Sequence, residues 1–116
     1  MKKYILMMVL FLVASISYSE TKSAKFSQND GNVAEWLQNN VRYPREAEES
    51  QQEGSVLLEL TIYENGKVSA KVKRSSDDVF TKEALRLVSI MPEWTPASEN
   101  GKAKAQKVLV PIHFHF

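Results

Sequence analysis

The 116-residue sequence predicts an α+β domain of two layers, in which a small antiparallel sheet (a hairpin plus a C-terminal edge strand) packs against helices. Three observations point there. Residues 55–63 alternate, with Val56, Leu58, Leu60 and Ile62 on one side and Leu57, Glu59, Thr61 and Tyr63 on the other, and Asn65-Gly66 follows as a tight hairpin turn with positive φ angles. The returning stretch 67–74 sends Val68, Ala70 and Val72 inward and Lys67, Ser69, Lys71 and Lys73 to water, so the sheet is buried on one face only. Residues 76–91 then place Phe80, Ala84, Leu87, Val88 and Met91 along one helical stripe, and that helix covers the apolar face.

Taken in order, the chain begins with Lys2 and Lys3 ahead of an unbroken apolar run from Tyr4 to Ala14, followed by Ser15, Ser17 and Ser19. Residues 1–19 are therefore expected to be a secretory signal, cut after Ser17 or Ser19. The alternative is an anchor left in the inner membrane, against which the run is shorter than the roughly 20 residues a spanning helix needs. Residues 20–25 are polar and patternless and read as a short tether, with the domain expected over 26–116.

Asn29 or Asp30 caps a first helix, whose Val33, Trp36 or Leu37, and Val41 recur at helical spacing. It ends by Tyr43, because a residue before proline avoids helical geometry, and Pro44 suits the first position of a second helix reaching to about Gln51. Gly54 stops that helix before the hairpin, and Ser76 or Asp77 caps the long helix. In "MPEWTPASENGK", Pro92 ends the long helix, Trp94 lays a ring over the end of the core, and Pro96 with Asn100-Gly101 turns the chain toward a last strand over 108–116. Val108, Val110, Ile112, Phe114 and Phe116 share one face of that strand.

The formal charge is +1, and −1 once Lys2 and Lys3 are removed, which leaves no field to draw nucleic acid or anionic lipid. There is no cysteine, so burial alone holds the exported domain together.

Pro111 is the informative residue of the last strand. A proline cannot donate to a ladder and is confined to edges or bulges, so this strand is expected at the edge of the sheet. Successive residues direct their backbone groups to opposite sides, so if Pro111 faces the open side, Leu109, His113 and His115 face it too. Such an edge can accept an incoming peptide by strand addition, and Pro111 can equally serve as a guard against edge-to-edge pairing; the residue alone leaves both readings open.

Catalytic and metal constellations fail on spacing. His113 and His115 project from one strand face, but no third ligand is specified. Glu46, Glu48 and Glu49 read as a solvated helix face, and Ser75-Ser76 before Asp77 read as helix capping without a positioned base. The four glycines all have turn, cap or loop roles, so no phosphate loop and no cofactor is expected, and the chain reads as a binding module and not an enzyme.

The ordered motifs "YPREA", "EGSVLLELTIYENGKV", "KRSSDD", "KEALRLV", "MPEWTPASENGK" and "VPIHF" resemble the C-terminal domain of TonB in the form common in Bacteroidetes, over about 26–116. That resemblance implies a periplasmic domain that contacts the TonB box of outer-membrane receptors by adding a strand beside its own last strand, in the service of TonB-dependent transport. By position, the contact strand is Val108, Leu109, Val110, Pro111, Ile112, His113, Phe114, His115 and Phe116, with Tyr43 and Pro44 belonging to the same pattern. Full-length members also carry an inner-membrane anchor engaging a proton-driven motor and a long proline-rich spacer. Here the spacer is missing, and residues 20–26 reach at most about 25 Å, so direct energy transduction is not implied and motor proteins would act in trans. Where relatives usually show Gly and an apolar residue, this chain has Gln51 and Gln52; Lys104 and Gln106 likewise replace apolar positions, so the strand is expected to fray before Val108. The competing expectation is a structural role, in which the edge strand pairs with a second copy or docks in an envelope complex.

Overall fold

The structure, a computed structural model, describes residues 20–116, so the signal expected over 1–19 lies outside the described residues. Two short strands, β1 (Thr21–Lys22) and β2 (Lys25–Phe26), lead to helix α1 (Val33–Asn40) and the short helix α2 (Arg45–Glu49). Strands β3 (Gly54–Ile62) and β4 (Val68–Ser75) precede the long helix α3 (Asp78–Ser89). Then come β5 (Trp94–Thr95), β6 (Ala97–Glu99), β7 (Lys102–Lys104) and the last strand β8 (Gln106–Phe114).

The main sheet has the order β4-β3-β8, all antiparallel. Its centre is β3 because its inward row, Val56, Leu58, Leu60 and Ile62, is fully buried while the alternate residues are half exposed. Helix α3 covers that row with Phe80, Ala84 and Leu87, as its spacing requires, and Val110, Ile112 and Phe114 of β8 complete the layer. The predicted two-layer α+β arrangement is the one observed. Gly54 is required by close approach: a Cβ there would lie 2.2 Å from Ser76 Oγ and 2.6 Å from a Phe80 ring carbon.

Local chemistry differs from expectation at several joints. Asn32, not Asn29 or Asp30, caps α1, its side chain accepting the Glu35 amide at 3.0 Å; residues 29–31 form a 3₁₀ turn ahead of it. Pro44 is the N-cap of α2, with extended ψ, and the helix starts at Arg45 and stops at Glu49. Gln51 takes φ 58° and the Gln52 amide donates to Ala47 O at 2.8 Å, a Schellman ending built without glycine. Asp77 caps α3, and the Val79 amide and the Gln52 side chain hold its carboxyl below its ordinary pKa.

The two Asn-Gly pairs divide the turn chemistry in an unexpected way. In the β3–β4 hairpin only Gly66 has positive φ; Gly66 N–H donates to Tyr63 O at 2.9 Å and Tyr63 N–H to Lys67 O at 2.8 Å, a three-residue loop with a glycine bulge. Asn100 and Gly101 both have positive φ, at 51° and 82°, and close a two-residue turn between β6 and β7. The corner after Pro92 thus contains a hairpin of its own before the last strand begins.

That corner is also where the start of the domain is anchored. The expected tether over 20–25 is paired to the domain: Thr21 and Lys22 lie against Glu99 and Ser98, and Lys25 and Phe26 against Thr95 and Trp94. Phe26 is buried edge-on between Trp36 at 5.9 Å and Trp94 at 5.4 Å, and Trp94 Nε1 donates to Met91 Sδ at 3.3 Å. Trp94 therefore closes the core, as expected, with a partner the sequence did not announce.

Candidate strand-docking site

β8 runs over 106–114 and not 108–116. Its start does not fray, because Gln106 pairs with Ile62 and its side-chain Oε1 accepts the Ala24 amide at 2.6 Å. His115 and Phe116 lie beyond the strand, where Phe116 N–H donates to Glu53 Oε1 at 3.2 Å and its ring stacks on Tyr43 at 4.6 Å. β8 pairs with β3 alone, so it is an edge strand among the described residues, as Pro111 predicted.

Which backbone groups are free follows from parity. Ser76 N–H donates to Ser55 O and Tyr63 N–H to Lys67 O, so the odd-numbered residues of β3 direct their backbone toward β4 and the even-numbered ones toward β8. The register Leu58↔Val110, Val56↔Ile112 and Gly54↔Phe114 then assigns the even-numbered residues of β8 to the ladder. Lys107, Leu109, Pro111 and His113 are left with their backbone groups on the outer side, where Pro111 offers a carbonyl but no donor. Of the expected contact residues, Val108, Val110, Ile112 and Phe114 spend their backbone groups within the fold.

Helix α1 flanks this edge and makes a groove of about 380 Å3 with it. Ala34, Leu37, Gln38, Val41 and Tyr43 line one side, and residues 111–115 line the other. Leu37, Ile112 and Phe114 give it an apolar floor, while Gln38, His113 and His115 are exposed at its rim. Tyr43 closes one end: its ring meets Phe80 and Phe114 edge-on near 6 Å, and its hydroxyl donates to Gln52 O. Desolvation, with the Glu53 and Glu48 carboxylates nearby, raises its phenol above the ordinary pKa.

The structure therefore brings Tyr43, Pro111, Ile112, His113, Phe114 and His115 together, leaves Val108 and Leu109 farther along the same strand, and places Pro44 outside the lining, as the cap of α2. The α1 wall was not foreseen as part of the site; the spacing of Leu37 and Val41 marked a buried stripe but could not say which neighbour it would leave uncovered. Among the described residues no group of His, Asp or Glu is arranged to hold a metal ion.

The outer edge of β4 is defended differently. A bulge opposite Leu57 and Leu58 leaves Lys73 as an extra residue, and Lys71, Lys73 and Arg74 are exposed along the strand. On the β8 flank, free backbone groups adjoin the apolar groove. Among the described residues no helix is long and apolar enough to cross a membrane.

No curated protein matches the chain. A family model described as Gram-negative bacterial TonB protein C-terminal matches residues 39–116, a span that includes the hairpin, α3, the corner and all of β8. The family is a non-enzymatic interaction domain of the cell envelope, associated with TonB-dependent transport. This chain, with its edge strand and the motifs that surround it, belongs to the TonB C-terminal family.

Proposed function

We propose that this protein, working in the periplasm, captures the TonB-box segment of an outer-membrane receptor as an added strand on β8. The observation that carries this reading is the outer side of β8, unpaired among the described residues and bordered by an apolar groove. Main-chain bonds to Leu109 and His113 supply affinity, and the alternate side chains of the incoming strand enter the groove between α1 and residues 111–115. Pro111 interrupts the donors once, which lowers the tendency of two such edges to pair with each other while leaving flanking groups for a peptide. Residues 21–26 pair back onto β5 and β6, and in this reading the domain serves as an accessory to receptor-driven uptake, with motor proteins acting in trans.

The test is a titration of the purified chain with a synthetic TonB-box peptide, followed through backbone amides by NMR. Expected are shifts at Leu109 and His113 together with Leu37 and Gln38 across the groove. Unmoved amides along β8 would remove the reading, and a mass that rises with protein concentration in light scattering would favour pairing between copies instead.

A further inference from the structure

Glu83 is the buried charged side chain of the described residues, and strand docking makes no direct use of it. With Arg86 it grips the segment between α1 and α2 at two points. Glu83 Oε2 accepts the Arg42 amide at 2.6 Å, and Arg86 Nη2 donates to Asn40 O at 3.0 Å. The two side chains are joined to each other in a fork, Nε to Oε1 at 2.6 Å and Nη2 to Oε2 at 2.9 Å.

Between the two gripped peptide groups stands Val41, and two residues on stands Tyr43; both line the groove. Val41 has extended geometry, φ −65° and ψ 139°, so the helical path ends there. A connecting segment of this kind, without the grip, would sample many conformations and would have to be ordered each time a ligand bound. With Glu83 buried and Arg86 partly exposed, the pair's attraction is largely offset by desolvation and solvent screening, so its value is better sought in what it fixes.

We propose that Glu83 and Arg86 are positioning residues for docking: without touching the incoming strand, they hold Val41 and Tyr43 as a preformed wall of the groove. The proposal rests on the strand-docking reading above. It assigns to α3, which lies on the face of the sheet, control over a surface at its edge.

Arg86→Lys keeps a cation beside Glu83 but lacks both the fork and the reach to Asn40 O. Because leaving buried Glu83 without its partner can unfold a small domain, Glu83→Met/Arg86→Met, which buries no charge and offers the Arg42 amide no acceptor, is made beside it. Hydrogen exchange at the Arg42 amide and titration with a synthetic TonB-box peptide are read for both variants and the parent. Expected are Arg42 exchange faster by about tenfold or more in the double variant with β3 amides unchanged, and peptide affinity weaker by about tenfold in both variants with the same β8 amides shifting. A double variant with faster Arg42 exchange but parental affinity overturns the proposal, as does a double variant whose Arg42 exchange is unchanged. A parent protein that binds no peptide brings down the docking reading itself, and the positioning role with it, a result distinguishable because it precedes any substitution.

Discussion

Gln51 sits at φ 58°, a left-handed conformation that costs a residue with a Cβ about 1–2 kcal/mol. Its side chain is exposed, so nothing is lost by removing it. Gln51→Gly is expected to stabilise the domain by about 1 kcal/mol, and to raise its midpoint by about 4–8 °C in a thermal unfolding scan. An unchanged midpoint would mean that the αL ending of α2 is not strained. Gln52 shows why its neighbour's departure from the family pattern is tolerated: its side chain bonds Asp77 at the head of α3, and its carbonyl accepts the Tyr43 hydroxyl. Gln52, which looks like a lapse in the sequence, thus fastens the end of α2 to the head of α3 and to Tyr43.

Among the elements, β3, β4, α3 and β8 were legible because each carries a full period of apolar residues, and Pro111 announced the edge through a property of proline that does not depend on context. The Asn-Gly pairs were less so. The same dipeptide makes part of a bulged three-residue loop at 64–66 and a two-residue turn at 100–101, a choice decided by strand register, which local sequence does not encode. β1, β2 and the β6–β7 hairpin escaped notice because strands of two or three residues show no periodicity and exist only through partners far along the chain. At this scale Pro111→Val is the informative change, since it adds one outward N–H to β8 without altering the inward row. The variant is expected to self-associate more than the parent at equal concentration, read as a higher average mass by light scattering; equal masses would show that Pro111 does not guard the edge.

Across the whole molecule, the segment before the family match carries weight that the match does not reveal. Phe26, Trp36 and Leu37 all precede residue 39, yet all are buried in the core, and α1 supplies a wall of the groove. Each such side chain is worth roughly 1.5–3 kcal/mol when buried, against a net stability of about 5–15 kcal/mol for a domain. A fragment confined to 39–116 is therefore expected to lack a cooperative thermal transition by circular dichroism, where residues 20–116 show one. The groove was the least legible feature, since it arises from how α1 lies beside β8, a relation set by Glu83, Arg86 and the aromatic cluster and not by any local pattern.

Because Phe26 is wedged between Trp36 and Trp94, the leading residues behave as a latch on the far end of the chain's own corner. A pulling force applied through Glu20 would reach Trp94 and the β6–β7 hairpin before it reached the central strand. Mechanical load would thus be borne first by the short pairings Thr21↔Glu99 and Lys25↔Thr95, with the Ala24–Gln106 bond between them, ahead of the ladder that joins β3 to β8.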